Sequence, residues 1–283
     1  MSDDDGRLLD LMARLRREAQ PYVLATVVRT VAATSAKAGT KAVVTANGEI
    51  HGWVGGGCAR GAVRRAAVEA LESGEARLIS VQPQEDLDAG GVAAGEVRGG
   101  VEFHRSACPS GGTLDIFVEP MLPRPQLLVC GASPVARAIA DLAGRSGFAV
   151  TVAALAEDQD SFPAADQRIA GFELPPDSPA ERFIVVATQG KRDGEALRAA
   201  LSAEAPYVAF VGSRRKAASL TARLREQGFP AEKIARLRSP AGLDIGAITP
   251  EEIALSIIAE VVELRRRGRR GQAGRESKDH DAA

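Results

Sequence analysis

The hydrophobic positions in the first 120 residues follow a pattern typical of short strands around one helix. Tyr22–Val28 is an apolar, β-prone run. Lys41–Thr45 and Glu49–Val54 flank the turn residues Ala46-Asn47-Gly48, and Asn-Gly between two such runs predicts a β-hairpin. Polar and apolar residues alternate in Thr113–Glu119, which predicts another strand.

Helical spacing of apolar residues occurs between Ala59 and Ser73, with arginines and glutamates on the opposite face. This pattern predicts an amphipathic helix that packs on a sheet. Leu8–Arg17 has the pattern of a second, polar-faced helix, whereas the small and acidic residues of Gln82–Gly100 predict a loop.

The pattern changes after the proline-spaced segment Pro120–Pro125, which we interpret as a linker. Apolar strand-like runs then alternate with helix-like segments, which predicts βαβ units around a parallel sheet. The final helix has a capping box, with Thr249 as N-cap, Pro250 at the first helical position and Glu252. The predicted strands are Gln126–Cys130, Phe148–Ala154, Arg182–Ala187 and Tyr207–Val211, and the predicted helices are Pro134–Arg145, Asp193–Ser202 and Arg214–Gln227.

These elements predict an α/β protein with an N-terminal α+β domain and a C-terminal Rossmann-like domain. We expect an N-terminal helix in residues 1–19, a cysteine-containing domain in residues 20–122, the Rossmann-like domain in residues 123–267 and a disordered tail in residues 268–283.

The composition fits two globular domains, since 45% of the 283 residues are hydrophobic and 26% are charged. A net charge of −1 creates no field that would attract nucleic acid or an anionic membrane. No apolar run approaches the roughly 20 residues of a membrane span, and the acidic start does not resemble a signal peptide. Three cysteines without Cys-x-x-Cys spacing argue against disulfides and a structural zinc site. The sequence therefore predicts a cytoplasmic protein with reduced thiols.

The most informative segment for chemistry is Trp53-Val54-Gly55-Gly56-Gly57-Cys58, directly before the amphipathic helix. Glycines expose backbone N–H groups, and a helix N-terminus favours an anion and lowers the pKa of a thiol. Arg60 would add to the positive field. Cys58 is therefore a candidate sulfur donor, metal ligand or substrate contact, and the alternative is a small buried residue in a tight turn.

Cys108 lies in Cys108-Pro109-Ser110-Gly111-Gly112 and could bring a second thiol to the same site, or it is an ordinary loop cysteine. Cys130 ends a buried strand and is interpreted as a core residue.

The segment Gly131-Ala132-Ser133-Pro134-Val135-Ala136 stands where a dinucleotide-binding domain has G-x-G-x-x-G, but only the first glycine is present. Ser133 replaces the second glycine, and Thr151–Ala154 lacks the acid that would bind a ribose. The pattern predicts the fold more strongly than NAD binding.

Two further segments offer polar groups to a ligand. Ser213, Arg214 and Arg215 follow a predicted strand and could bind phosphate, or form a solvated first helical turn. Asp244 lies in a glycine-bounded loop and could contact a ribose or pterin, or stabilise a turn. The three histidines form no Ser–His–Asp or zinc-binding pattern.

At these residues the chain resembles the XdhC/CoxI family, the accessory proteins of xanthine dehydrogenase and carbon monoxide dehydrogenase. The resemblance covers about residues 22–267. It is carried by Leu24–Thr30, Val54–Cys58, Thr113–Pro120, Tyr207–Lys216 and Ala241–Ala254. The form around Cys108 is more similar to the carbon monoxide dehydrogenase branch. The chain departs from the family at Thr34-Ser35-Ala36-Lys37, Ala59-Arg60, Ser133-Pro134 and Thr188-Gln189-Gly190, and it lacks the family's Asp-Asp after the next strand.

The resemblance implies a chaperone or maturation factor that binds molybdenum cofactor, assists its sulfuration and inserts it into a molybdenum hydroxylase without turnover of a free substrate. It implies that Cys58 contacts the cofactor, either as molybdopterin or as its cytosine dinucleotide. The implied partners are the apo hydroxylase, a cysteine desulfurase and a second copy of the chain. The alternatives are an NAD(P)- or FAD-binding oxidoreductase, and a nucleotide-binding scaffold for the dehydrogenase.

Overall fold

The chain folds into two compact units that meet in sequence at Pro123 and Arg124. A computed structural model describes residues 3–107, 111–175 and 180–280, excluding the side chains of residues 3–5 and 268–280. Each unit has its own sheet and hydrophobic core, as the change of pattern at the proline-spaced segment predicts.

Unit 1 contains a seven-stranded mixed sheet in the order β3-β2-β1-β7-β4-β6-β5. All neighbouring strands pair antiparallel except β4 and β6. The strands are β1 (Tyr22–Val31), β2 (Lys41–Thr45), β3 (Ile50–Gly52), β4 (Arg77–Pro83), β5 (Val97–Arg98), β6 (Val101–Ser106) and β7 (Thr113–Met121).

Helix α2 (Gly57–Ser73) covers one face of this sheet and forms the main core of unit 1. Small apolar side chains such as Ala62, Ala66 and Ala70 let the helix approach Val27, Ile79 and other inward-facing strand residues. Helix α1 (Asp3–Arg17) packs Leu8 and Leu15 against Tyr22 and Val43 in a separate cluster. The amphipathic pattern therefore predicts the packed face of α2 correctly.

The prediction of a loop at Gln82–Gly100 is wrong in part. Strand β4 extends to Pro83, helix α3 occupies Gln84–Gly90, and β5 begins at Val97. Acidic residues in the first turn of α3 complement the helix dipole, and the left-handed Gly91 ends the helix. These short-range signals outweigh the low apolar content of the segment.

Unit 2 contains a parallel six-stranded sheet in the order β10-β9-β8-β11-β12-β13, which is the doubly wound order of the Rossmann fold. The predicted C-terminal fold class is confirmed. The strands are β8 (Gln126–Cys130), β9 (Ala149–Ala154), β10 (Gln167–Ala170), β11 (Arg182–Val186), β12 (Tyr207–Phe210) and β13 (Leu237–Arg238).

Helices cover both faces of this sheet, and the central strands are accordingly buried along their whole length. One core includes residues of α4 and α8, and the other includes residues of α5, α6 and α7. The helices are α4 (Pro134–Arg145), α5 (Asp193–Ser202), α6 (Arg214–Glu226), α7 (Ala231–Ala235) and α8 (Pro250–His280), and a short 3₁₀ helix spans Ala156–Ser161.

The last helix continues beyond the residue at which the sequence predicts a disordered tail. Its backbone is helical to His280, across residues 268–280. This segment has no proline and many good helix formers, such as Arg, Gln, Ala, Glu and Lys, so the helix can propagate past Gly268. Within the described residues, no helix is both long and apolar enough to traverse a bilayer.

Gly131 shows how closely the central strands of unit 2 approach at their carboxyl ends. Its φ is +113°, and a Cβ added there would lie 2.6 Å from the carbonyl oxygen of Ala187. Position 131 therefore requires glycine both for its backbone conformation and for lack of space.

We expect Gly131→Ala to destabilise unit 2 by about 3 kcal/mol or more, because strain and a backbone clash add. Gly147→Ala is the matched control, since Gly147 also has a positive φ of +83° but nothing lies near its added Cβ. The control should cost about 1 kcal/mol. Calorimetric unfolding measures both, and equal losses would show that the close approach at Gly131 contributes nothing.

Candidate functional site

The glycine segment before Cys58 forms the start of α2. Gly55 has a φ of +114°, and Gly56 is the N-cap in an extended conformation without a side-chain cap. The first hydrogen bond of the helix runs from the N–H of Arg60 to the carbonyl of Gly56. The N–H groups of Gly57, Cys58 and Ala59 therefore have no acceptor within the helix and carry its partial positive charge.

Ser35 holds this helix start from a neighbouring loop. Its hydroxyl oxygen accepts a hydrogen bond from the N–H of Gly56 at 3.1 Å. Its carbonyl oxygen accepts one from the indole Nε1 of Trp53 at 2.8 Å. The turn at Gly55 is packed as well, since a Cβ there would lie 3.0 Å from the side chain of Leu114. The orientation of the exposed N–H groups is thus fixed by contacts on both sides.

A cavity of about 240 Å³ opens at this helix start, and Cys58 lies in its wall. The thiol is half-buried, and its Sγ accepts a hydrogen bond from the N–H of Ala107 at 3.4 Å. A thiol beside unpaired backbone N–H groups can bind an anion or a soft metal centre. The cavity is lined by Thr34, Ser35, Gly56, Gly57, Cys58, Ala59, Val81, Ser106, Gly112 and Leu114.

Two arginines of α2 lie near this end of the helix. Arg60 is half-buried and, within the part of the chain that the structure describes, has no ion pair or side-chain hydrogen bond. Arg65 instead contacts a polar cluster on β6, with its Nη2 3.4 Å from Nδ1 of His104. His104 in turn lies 3.0 Å from Glu102, and this hydrogen bond keeps the pKa of Glu102 below its usual value despite burial. Of the two, Arg60 is the available cation.

Of the other two cysteines, Cys108 and Cys130, only the second lies among the residues that the structure describes. Cys108 lies outside the described residues, so its meeting with Cys58 stays a prediction. Cys130 is completely buried in unit 2, and burial raises the pKa of its thiol to about 12. Its interpretation as a core residue is confirmed.

The segment that resembles a dinucleotide site does not fit a dinucleotide. Ser133 is the N-cap of α4, and its hydroxyl accepts the N–H of Ala136 at 3.1 Å, so the side chain fills the place where a pyrophosphate would approach. Pro134 follows and has no N–H. At the end of β9 there is no acid, and Asp158 in the 3₁₀ helix pairs with Lys191 at 3.5 Å.

The start of α6 is the second helix end at which the sequence predicts an anion site. Ser213 is its N-cap and accepts the N–H of Lys216 at 3.2 Å. Arg214 and Arg215 are exposed, and no ion pair joins them to another described residue. Lys216 points elsewhere, because its Nζ lies 2.6 Å from the carboxylate of Asp193.

Asp193 was not among the predicted site residues, and it organises the loop after β11. Its carboxylate accepts hydrogen bonds from Thr188 and from the N–H of Gly190, and it pairs with Lys216. Burial alone raises the pKa of Asp193, but these three donors outweigh it and the pKa lies below its ordinary value. A lone aspartate at the start of a predicted helix gave no sequence signal for this role.

Asp244 lies on an exposed loop before α8. The loop is anchored by Glu260, whose carboxylate accepts the N–H of Gly242 at 2.9 Å and the hydroxyl of Tyr207 at 2.6 Å. No hydrogen bond or ion pair engages the Asp244 carboxylate in the described segments. No group of His, Cys, Asp and Glu suited to a metal ion occurs among the described residues.

The predicted site residues thus fall in separate places. Gly56, Gly57 and Cys58 line one cavity, and Gly55 shapes the turn behind it. Sequence reasoning missed Ser35, which holds this cavity, because a serine in a loop 21 residues upstream has no local pattern. Arg60 follows on the same helix, and Cys108 lies outside the described residues. The other predicted residues lie in unit 2 at Gly131, Ser133, Ser213, Arg214, Arg215 and Asp244.

Each of the two units matches the model of a known protein family. Residues 15–82 match the family described as "XdhC and CoxI family", and residues 127–261 match the "XdhC Rossmann domain". The chain belongs to the XdhC and CoxI family.

Three curated proteins are similar to this chain in sequence. A protein named Uncharacterized protein YqeB from Escherichia coli (strain K12) is 30% identical over 268 residues, which cover 89% of this chain and 45% of that protein. A probable xanthine dehydrogenase subunit from Bacillus subtilis (strain 168) is 32% identical over 163 residues, covering 55% and 47%. Molybdenum cofactor insertion chaperone PaoD of Escherichia coli (strain K12) is 24% identical over 306 residues, covering 94% and 90%. The alignments span about half the length of the first two relatives.

The different surroundings of the thiols lead to a labelling prediction. In a Cys108→Ser background, iodoacetamide should modify Cys58 in the native protein, whereas Cys130 should react at least about tenfold more slowly because it is sealed in the core. Peptide mass spectrometry measures both rates. Modification of Cys130 as rapid as that of Cys58 would contradict the assignment of the open cavity to Cys58.

The pair of Asp193 and Lys216 leads to a prediction about pH. Because the pKa of Asp193 is lowered in the fold, its contribution to stability is present at neutral pH and is lost as the pH falls below about 4. Lys216→Met should therefore destabilise unit 2 by about 1 kcal/mol at pH 7 and by less at about pH 2.5, below the ordinary pKa of an aspartate. Denaturant titrations at both pH values measure this. Lys191→Met is the control and should have a smaller effect, because its pair with Asp158 is longer, at 3.5 Å, and its lysine is more exposed. A pH-independent loss for Lys216→Met would refute the argument.

Proposed function

We propose that this chain is an accessory chaperone that binds molybdenum cofactor through the Cys58 cavity and delivers it to a molybdenum hydroxylase. The observation that carries the proposal is the half-buried thiol in a cavity wall at the start of α2. Gly57 and Ala59, whose N–H groups like that of Cys58 have no acceptor in the helix, line the same cavity. We further propose that the chaperone assists sulfuration of the cofactor and has no turnover of a free substrate.

The donor set of this cavity fits the cofactor. Molybdenum cofactor, when bound, supplies a molybdenum–dithiolene centre and an anionic phosphate. A cysteine sulfur is the soft donor in the cavity that suits such a metal centre. The N–H groups of Gly57 and Cys58 would stabilise an anionic group, and Arg60 would add a positive charge from the same helix.

The relatives support this proposal by their names. One is a molybdenum cofactor insertion chaperone, and another is a probable xanthine dehydrogenase subunit. We propose that the client of this chain is a hydroxylase such as xanthine or carbon monoxide dehydrogenase. A cysteine desulfurase, a homodimer and the cytosine dinucleotide form of the cofactor belong to the same proposal.

The geometry of unit 2 counts against the alternative of an NAD(P)- or FAD-dependent oxidoreductase. Ser133 caps its own helix, β9 itself ends without an acid, and Asp158 in the following 3₁₀ helix is paired with Lys191. The groups of unit 2 that remain available are Arg214, Arg215 and Asp244. We propose that these contact a phosphate or the pterin of the cofactor.

The Cys58→Ala variant should retain cofactor at least about tenfold less well than the native chain, because it loses the soft donor from the cavity wall. Equilibrium binding of purified molybdenum cofactor, followed by molybdenum content after gel filtration, measures the loss. Cys130→Ala is the matched control: it also removes one thiol, but one that is buried outside any site, and it should retain the cofactor.

Unchanged retention by Cys58→Ala would remove Cys58 from the role. Failure of the native chain to bind the cofactor at all would refute the chaperone proposal itself. Hydride transfer from a bound NAD(P)H or FAD to a small substrate would favour the oxidoreductase instead.

A further inference from the structure

We infer that Trp53 provides the surface on which the flat heterocycle of the bound cofactor stacks at the edge of the Cys58 cavity. This inference rests on the proposed function and adds a second contact point to it.

The indole of Trp53 is joined to the cavity through one residue. Its Nε1 donates to the carbonyl of Ser35 at 2.8 Å, and the hydroxyl of the same Ser35 accepts the N–H of Gly56 at 3.1 Å. Ser35, Gly56 and Cys58 all line the cavity. The indole is therefore fixed beside the rim of the site by the same residue that holds the start of α2.

Trp53 is also unusually exposed for a tryptophan. Its exposed fraction is 45%, and it is the only tryptophan of the chain. Tryptophan is generally well buried, and an exposed indole held in one orientation by a hydrogen bond is typical of a contact surface. Because the ring is already ordered, a ligand that stacks on it loses little additional side-chain entropy.

The size of the cavity indicates that part of the cofactor must lie outside it. The cavity holds about 240 Å³, whereas pockets that enclose a drug-sized ligand measure about 300–1,000 Å³. If the thiol and N–H groups hold the metal and anionic end, the heterocyclic end extends to the rim. A flat heterocycle at that point can stack on an aromatic side chain, and the indole of Trp53 is hydrogen-bonded to Ser35 in the cavity wall.

The chemistry of the two rings is complementary. A pterin, like a nucleobase, is a planar, polar heteroaromatic system that stacks on an indole face without requiring a particular hydrogen-bond pattern. When an aromatic residue that stacks on a base is replaced by alanine, the affinity typically falls by about 5- to 100-fold.

The test compares Trp53→Ala, Trp53→Phe and the control Phe117→Ala in the full chain, with purified molybdenum cofactor as the probe. Phe117 is another exposed aromatic of the same sheet, but it lies between Ile116 and Val118, which pack on α2, and so points to the opposite face. We expect Trp53→Ala to lose about 5- to 100-fold in affinity, Trp53→Phe to lose less, and Phe117→Ala to be unchanged. The native chain should also show quenching of its tryptophan emission on binding, and this signal reports Trp53 alone.

Each other outcome overturns a specific statement. If the native chain binds and Cys58→Ala does not, but Trp53→Ala binds normally, the stacking role is refuted and the proposed function stands. Equal losses in Trp53→Phe and Trp53→Ala would show that the indole N–H only holds Ser35 in place. Normal affinity of Trp53→Ala with failed transfer to the hydroxylase would make Trp53 a protein-docking residue instead. Absence of binding by the native chain refutes the chaperone proposal first.

Discussion

The hydrogen bond from the N–H of Gly56 to the hydroxyl of Ser35 fixes the orientation of the first turn of α2 in unit 1. A helix begins with several N–H groups that its own backbone cannot satisfy. In this chain a serine from another loop accepts the N–H of the N-cap residue, while the next three residues, whose N–H groups have no acceptor in the helix, line a cavity. The arrangement requires the tight turn at Gly55, and it places the Cys58 sulfur beside the same positive end of the helix.

In unit 2, unlike at α2, the N-cap residues of α4 and α6 cap their own helices with their side chains. Ser133 and Ser213 cap α4 and α6 with their own hydroxyls, and Lys216 pairs with Asp193. Each of these two helix starts therefore has one backbone N–H fewer for a ligand, and Lys216 is already paired. The parallel sheet is held by its buried strands and by close approaches such as that of Gly131.

The sequence predicts the elements with strong periodicity and misses contacts between distant loops. The apolar stripe of α2, the strands of the parallel sheet and the capping box before α8 all follow from local spacing. The start of α2 beside Cys58 also follows, since three glycines precede a helical pattern. The roles of Ser35 and Asp193 could not be predicted, because each depends on a partner brought close by the tertiary fold. The short helix α3 was not predicted. Its residues are mostly polar and lack apolar periodicity, so they resemble a loop even though the segment has helix-capping residues.

The self-capping of Ser133 has a consequence for the protein in a living cell. Nicotinamide and flavin nucleotides are abundant metabolites, and an open Rossmann crevice would fill with them. In this chain the hydroxyl of Ser133 already accepts the N–H of Ala136, so the start of α4 has one donor fewer for such a metabolite. Unit 2 of this chain thus keeps the strand order of a nucleotide-binding domain while the start of its first helix is less open to the nucleotides around it.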